Sequence, residues 1–185
     1  GRIGAIHAAN LAALDGTRLL YVIDVNHAAA ASLAGKYGAA PTSIARALSD
    51  PMVDAVLIAS STDTHADLAI AAARAGKAIF CEKPIDLSLQ RVDRCLTAVR
   101  NARVPFFVAF NRRFDPSFAS LRERIRKGEI GSVEQVIISS RDPGLPPIAY
   151  LKTSGGLFRD MTIHDLDMAR WLLGEEPVEV FAYGS

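Results

Sequence analysis

The sequence predicts an α/β fold, with a doubly wound domain over residues 1–118 and a smaller α+β domain with an open-faced sheet over 119–185. In the first part, short apolar runs alternate with helical patterns. These runs are apolar at every position, which is typical of parallel strands covered by helices on both faces. After residue 118, apolar and polar residues partly alternate instead, as in a sheet with one open face.

The elements of the first domain follow from these runs and from local stop signals. Gly38 and Gly76 end two alanine-rich helical patterns, and proline ends a third. The predicted strands are 18–24 (RLLYVID), 53–60 (VDAVLIAS), 78–81 (AIFC) and 105–111 (PFFVAFN). The predicted helices are 27–38, 43–51, 62–76 and 87–102.

A charged helix is predicted over 116–128, across the boundary between the two domains. Segments 133–142 and 178–185 are predicted as strands because their apolar residues partly alternate with polar ones. Between them lie a proline-rich loop, a glycine pair at 155 and 156, and a helix that ends near residue 173.

The composition excludes several classes of protein. Among 185 residues, 21 Lys and Arg balance 20 Asp and Glu, so nothing favours binding to nucleic acid or an anionic membrane. The apolar runs are too short to cross a bilayer. Cys81 and Cys95 are expected to be buried free thiols, which favours a reducing, cytoplasmic location. The opening GRIG has no initiator methionine or preceding strand, so we expect both domains to be truncated parts of a longer chain.

The N-terminal glycines point to a nucleotide. Gly1 and Gly4 lead directly into an alanine-rich helix, and Asp24 ends the next strand. Glycines at that point let the backbone approach a pyrophosphate, and an acid at the later position bonds the ribose hydroxyls. A glycine pair alone also fits a tight turn, but with Asp24 and the further strand–helix alternations it predicts a Rossmann dinucleotide site. Asp24 would repel a 2′-phosphate, and Val25 and Asn26 offer no guanidinium for one, so NAD is favoured over NADP.

A second group of polar residues lies on the later helix. Asp160 and His164 are four apart and therefore share one edge of it, with Asp167 close by. A histidine can take the proton of an alcohol, and a carboxylate can fix its tautomer. From the helix alone, the stronger interpretation is a structural one. The acid would interact with the dipole at the helix N-terminus, and the hydrogen bonds of the histidine would be satisfied between the two domains. No role is predicted for Asp165, which projects toward the apolar side.

Four motifs together resemble the oxidoreductase family of glucose–fructose oxidoreductase and inositol dehydrogenase. They are GRIG, ASSTDTH at 59–65, CEKP at 81–84 and GGLFRDMTIHDLD at 155–167. Within the family, 110–118 and 170–180 are most similar to the inositol 2-dehydrogenases. The resemblance covers nearly the whole chain and implies a Rossmann domain, NAD, and an open sheet that packs into tetramers. The chain departs from the family in lacking the first strand, the first glycine and about half of the second domain.

The resemblance also implies site residues. Lys83, Asp160 and His164 would be catalytic, with Lys83 reaching the reacting hydroxyl and lowering the cost of the developing alkoxide. Taken without the family, Lys83 fits a surface lysine before a helix-starting proline equally well. Pro84 is expected to hold its turn through a cis bond. Cofactor contacts are expected at Gly1, Arg2, Ile3, Gly4, Asp24, Ser60, Thr62, His65, Glu82 and Lys83. Substrate contacts are expected at Asn111, Arg112, Asp142, Tyr150 and Asp167.

Some of these residues have other interpretations. Thr62 or Asp63 could cap a helix, and Tyr150 could anchor its proline-rich loop. No His, Cys or Glu cluster has metal-ligand spacing, so no metal is predicted.

The predicted function is NAD-dependent oxidation of a secondary hydroxyl of a cyclic polyol, with myo-inositol converted to its 2-ketone (scyllo-inosose). A related pyranose sugar dehydrogenase is the first alternative. A non-catalytic nucleotide-sensing regulator of the same fold is the second, and the joint presence of Lys83, Asp160 and His164 argues against it.

Overall fold

A computed structural model describes residues 1–141, 144, 146, 148–151 and 154–184. Contacts divide the chain into two compact units, Gly1–Ala109 and Phe110–Ser185. This division falls before the domain boundary predicted after residue 118, which stays a prediction. Each unit is built from its own secondary structure.

The first unit alternates helices and strands along its whole length. Its helices are α1 (Arg2–Ala13), α2 (His27–Lys36), α3 (Ile44–Ser49), α4 (Thr62–Arg74) and α5 (Leu89–Ala102). Its strands are β1 (Tyr21–Val22), β2 (Ala40–Pro41), β3 (Ala55–Ile58), β4 (Ala78–Cys81) and β5 (Phe106–Val108). The predicted helices are therefore found, and β2 is an additional short strand.

All the strand pairs of this unit are parallel, as predicted. β1 pairs with β2, and β4 lies between β3 and β5. The strand predicted over 18–24 is reduced to Tyr21–Val22, because only these residues pair with β2. In the usual strand order of a doubly wound fold, the strand that precedes the glycine segment lies between the strands that correspond here to β1 and β3.

The core of the first unit lies between the three-stranded sheet and helices α4 and α5. Alanines form the buried face of α4, and their small side chains let the helix lie close to the sheet. The buried cluster consists of Ile58, Ala66, Ala69, Ala72, Ala73, Ile79, Cys81, Cys95 and Val99. Cys81 and Cys95 are free thiols, as predicted. Burial raises the pKa of the Cys81 thiol to about 12, so the sulfur stays protonated and unreactive.

The second unit is mainly helical in its described part. It contains a 3₁₀ turn (Asn111–Phe114), α6 (Pro116–Arg126), α7 (Ile148–Leu151), a π-helical turn (Phe158–Thr162) and α8 (Ile163–Leu173). Asp115 caps α6 by accepting from the amides of Ser117 and Phe118. Gly174, at φ 73°, ends α8 in the left-handed conformation that glycine adopts readily.

The two strands predicted in the second unit are wrong for the described residues. Positions 133–141 and 178–184 form no strand there. A strand needs a partner that accepts and donates its backbone hydrogen bonds, and none of the described residues pairs with these segments. Several of their apolar side chains are exposed to solvent, with Ile137 79% and Phe181 90% exposed.

In the described part of the chain, no helix combines the length and the apolar character needed to span a membrane.

Candidate active site

The carboxyl ends of β3 and β4 lie at one edge of the sheet. Ile58 and Cys81 are register partners, and the amide of Glu82 donates to the carbonyl of Ile58 over 2.9 Å. Ser60 and Lys83 each follow two residues after these partners. The register therefore brings Ser60, Glu82 and Lys83, three of the predicted cofactor contacts, to the same edge, which is where ligands bind in open parallel sheets.

The glycine segment begins a helix beside this edge. Gly1 is the N-cap residue of α1, and a Cβ placed on Gly4 would lie 3.9 Å from the Cβ of Ala59, directly after β3. Gly1, Arg2 and Ile3 are exposed, and the first turn of α1 contains no acidic residue. The unpaired amides of this turn are therefore open to an anion such as a pyrophosphate.

Asp24 lies close to the glycine segment. Its carboxylate is 3.5 Å from the Gly1 nitrogen and accepts from the amide of Asn26 over 2.9 Å. The hydrogen bond from Asn26 is the main cause that lowers the pKa of Asp24, so this side chain stays an acceptor at neutral pH. The neighbouring Asn26 is the N-cap residue of α2 and carries no charge.

The segment that carries Lys83 is held on both sides. Nε2 of His7 lies 2.6 Å from Oε1 of Glu82, and a ring nitrogen of His65 contacts the carbonyl oxygen of Pro84. The Lys83–Pro84 peptide bond is cis, as predicted. Lys83 itself is half-buried.

Two more side chains fix the residues that follow. Asp86 accepts from the amide of Ser88 and from Nε of Arg91 over 2.7 Å. Burial opposes the charge of Asp86, but these donors outweigh it and hold its pKa below the usual value. The loop from β4 to α5 is therefore anchored beyond the lysine as well.

Sequence reasoning missed His7. Its ring meets the ring of Phe80 edge-on, with centroids 5.2 Å apart, and this contact directs it toward Glu82. A usable signal existed, because His7 lies three residues after Gly4 and so shares the helix face that Gly4 turns toward β3.

The residues after β3 have separate roles. The Ser60 hydroxyl bonds the Thr64 hydroxyl over 2.7 Å. Thr62 is the first residue of α4, and the N-cap residue is Ser61, so neither Thr62 nor Asp63 caps this helix. His65 is only 2% exposed, with its ring nitrogens turned to backbone carbonyls. The cofactor contacts predicted for Ser60 and Thr62 stay predictions, and the burial of His65 favours an indirect role.

In the second unit, Asp160 and His164 lie on either side of a change in helix type. Asp160 belongs to the π-helical turn, and His164 to the first turn of α8. Both side chains are half-buried. The sequence predicted a single continuous helix over these residues. A π-helical turn is rare and is often found at functional sites, where it changes the direction of a side chain.

Two consecutive arginines pair with two acids of α8. Arg112 bonds Asp165, and Arg113 donates to both carboxylate oxygens of Asp167, with Nε at 2.8 Å. Asp165, for which the sequence predicted no role, therefore holds the 3₁₀ turn to α8. Asp167 is 4% exposed and is occupied by Arg113. The substrate contacts predicted for Arg112 and Asp167 stay predictions, although these pairs favour a structural role.

Removing Arg113 is expected to destabilise the second unit. Arg113→Ala leaves the buried carboxylate of Asp167 without its partner. Because Arg113 is partly exposed, we expect the free energy of unfolding to fall by roughly 2–3 kcal/mol, which is less than for a fully buried pair. Thermal unfolding of the full-length protein measures the change. Arg126→Ala is the matched control, since its pair with Glu123 is exposed and its loss should cost about 0.5 kcal/mol or less. Equal shifts for the two variants would contradict the prediction.

The remaining predicted substrate contacts are only partly described. Asn111 begins the 3₁₀ turn and is exposed. Asp142 lies outside the described residues, and so does the side chain of Tyr150. The described residues contain no group of three His, Cys, Asp or Glu placed to hold a metal ion.

These observations define a class of protein. They are the features of a dinucleotide-binding α/β domain: a helix that starts at glycines, an acid after β1, and polar loops at the carboxyl edge of a parallel sheet. Residues 1–110 match the model of the oxidoreductase family with an NAD-binding Rossmann fold, and residues 118–185 match the GFO/IDH/MocA C-terminal domain. The chain belongs to the GFO/IDH/MocA oxidoreductase family, which confirms the family predicted from the motifs. The predicted fold class, a Rossmann domain followed by a second domain, is confirmed as well.

Several relatives are close in sequence or structure. An inositol 2-dehydrogenase of Rhizobium meliloti is 54% identical over 98% of this chain and 55% of its own length. A myo-inositol 2-dehydrogenase of Thermotoga maritima is 48% identical over 100% of this chain and 56% of its own length. The solved scyllo-inositol dehydrogenase from Lactobacillus casei with bound NAD(H) and scyllo-inositol is 28% identical, with a TM-score of 0.80, over 95% of this chain and 54% of that chain. The chain spans about half the length of the curated relatives it matches.

Proposed function

We propose that the protein containing this chain is an NAD-dependent dehydrogenase that oxidises a secondary hydroxyl of a cyclic polyol. Myo-inositol, converted to its 2-ketone, is the proposed substrate. The observation that carries this proposal is the position of Lys83, which lies at the carboxyl edge of the sheet on a segment anchored by His7 and His65. The 54% identity to an inositol 2-dehydrogenase supports the choice of substrate.

The residues of the first unit fit NAD as the cofactor. The exposed first turn of α1 can receive the pyrophosphate, and the carboxylate of Asp24 can accept from the ribose hydroxyls. NAD, when bound, supplies the acceptor for a hydride. The carboxylate and the neutral Asn26 beside it would disfavour a 2′-phosphate.

Three side chains are proposed to handle the alcohol. Oxidation removes a proton from the oxygen and a hydride from the carbon, so the oxygen becomes negative as its proton leaves and neutral again when the hydride leaves and the carbonyl forms. His164 takes the proton, and Asp160 holds the imidazole in the required tautomer. The ammonium group of Lys83 stabilises the developing alkoxide as a fixed positive charge.

A substrate screen tests this function directly. The full-length protein is mixed with NAD and with myo-inositol, scyllo-inositol or glucose, and NADH formation is followed by its absorbance. We expect the highest kcat/KM for myo-inositol. A preference for glucose over every inositol would indicate a sugar dehydrogenase. Tight NAD binding without turnover of any polyol would indicate a regulator instead.

Cofactor choice is expected to depend on Asp24. Asp24→Ala removes a charged acceptor for the ribose hydroxyls, so NAD affinity should fall about 10- to 100-fold. The repulsion of a 2′-phosphate disappears as well, so the ratio of NADP to NAD affinity should rise. Titration calorimetry with both dinucleotides measures this. The control is Asp15→Ala, which changes an exposed acid outside the described site. An unchanged NAD affinity in Asp24→Ala would contradict the assignment.

We further propose a cytoplasmic location and a homotetramer. The free, buried thiols of Cys81 and Cys95 support a reducing compartment. Exposed apolar side chains at Val178, Phe181 and Tyr183 support association of that segment with further protein. Sedimentation of the full-length protein tests the second proposal, and a monomer at micromolar concentration would refute it.

A further inference from the structure

We propose that His65 is a positioning residue that fixes Lys83 through the carbonyl group of Pro84, an inference that rests on the catalytic role proposed for Lys83. His65 lies in the first part of α4 and is almost completely buried. Its Nδ1 is 2.8 Å from the carbonyl oxygen of Pro84, and its Nε2 is 3.2 Å from the carbonyl oxygen of Ser60. One ring therefore bridges the loop after β3 and the loop after β4.

Both partners of the ring are acceptors, and this defines what the histidine must do. A neutral imidazole has one N–H, whereas an imidazolium has two. The shorter contact indicates that Nδ1 carries a proton and donates to Pro84 in either state. The contact with Ser60 becomes a second donated bond only when the ring is protonated. The bond to Pro84 is thus the constant link between α4 and the Lys83 segment.

The position of Lys83 in the chain explains how this bond acts on it. Lys83 is bonded directly to Pro84, and Glu82 on its other side is held by His7 over 2.6 Å. Pro84 is buried, and Ile85 beyond it packs against the core. The backbone of Lys83 is therefore fixed at both neighbours. Such preorganisation matters because a displacement of a reacting group by an ångström costs a large part of the rate.

An ordinary core histidine could also lie between these two carbonyl groups without any effect on catalysis. Two amide variants separate these roles. In His65→Asn the side-chain amide takes the place of Nδ1 and can still donate to Pro84. In His65→Gln the amide reaches the place of Nε2 and donates to Ser60 instead. Both variants lose the ring, so a purely structural role predicts similar effects.

The experiment measures kcat and KM for myo-inositol and the Kd of NAD in the full-length protein. His65→Gln is expected to lower kcat roughly 10- to 100-fold with a much smaller change in the Kd of NAD, and His65→Asn is expected to retain most of the turnover. In the Lys83→Ala background, where residual turnover is followed at high enzyme concentration, His65→Gln should lower kcat no further. Equal losses in the two amide variants, or the same loss with and without Lys83, would overturn the proposal.

Chemical labelling of Lys83 tests the role of His65 independently of enzymatic activity. If the wild-type protein oxidised no polyol, the proposed function would be rejected. The rate at which an amine-reactive reagent labels Lys83, mapped by mass spectrometry, would then show whether His65 positions the Lys83 segment. We expect the labelling rate to change at least about threefold in His65→Gln and to stay close to wild type in His65→Asn, as a looser segment alters access to the amine. The exposed Lys36 serves as an internal reference. Unchanged labelling of Lys83 in His65→Gln would overturn the proposal. Should His65→Gln fail to fold, strongly altered labelling in a folded His65→Asn would overturn it.

Discussion

Lys83→Ala is expected to lower kcat for myo-inositol oxidation by about 10²- to 10³-fold, the usual effect of losing one group that stabilises a developing oxyanion. The segment around Lys83 is held by His7 and His65, so removal of the ammonium group should leave the fold intact. Steady-state kinetics at saturating NAD measures the loss. The Kd of NAD should change far less than kcat, because the glycine segment and Asp24 carry most of the proposed contacts.

Two further lysine variants make this result specific. Lys83→Arg keeps the charge but moves it, so its kcat should lie between those of the wild type and Lys83→Ala. Lys36→Ala removes an exposed lysine of the same unit and should leave kcat unchanged. Unchanged turnover in Lys83→Ala, with intact NAD binding, would remove Lys83 from the mechanism.

His164→Asn is expected to reduce kcat/KM by about 10²- to 10⁴-fold, the range that a general base contributes. The acid limb of the pH–rate profile should also flatten, because the group that must lose its proton is gone. Asp160→Asn should have a smaller effect, since the carboxylate only orients the imidazole. The profiles of the three proteins, measured with myo-inositol at saturating NAD, test both expectations.

The control for this series is His27→Asn. His27 is an exposed residue at the start of α2 and has no place in the proposed chemistry. Its kcat at saturating NAD should match that of the wild type. If His164→Asn retained the full rate and the same pH profile, another residue would have to act as the base.

Local signals predicted much of the first unit. The strand predicted at 78–81 is β4, residue for residue, and the helix predicted over 62–76 is α4, which ends at Arg74. Both succeed because the signals lie in adjacent residues: a continuous apolar run in one case, and an alanine-rich pattern followed by Gly76 in the other. The cis bond before Pro84 was expected for a different reason, the resemblance of the CEKP motif to the family.

Interactions between distant residues could not be predicted. The segments 133–142 and 178–185 have the alternation of strands, but alternation does not supply a partner for their backbone groups. Asp165 and Asp167 are bonded to Arg112 and Arg113, more than fifty positions earlier.

The helical segment that carries Asp160 and His164 shows the same limit. Spacing alone placed Asp160 and His164 on one α-helical face, whereas the turn that contains Asp160 is π-helical. The candidate site was thus predicted as a set of residues, and its supporting contacts were not.

The pairing of β4 with a strand on each side also limits how such a protein can diverge. Cys81 pairs in register with Ile58 and with Val108, so the end of β4 is fixed from both flanks. Inserting one residue ahead of Ala78 would slide β4 by about 3.3 Å and turn its side chains to the opposite face of the sheet. Side chains that follow the strands can therefore be exchanged without disturbing the sheet, whereas a change in the length of β4 moves Glu82 and Lys83 together with the strand.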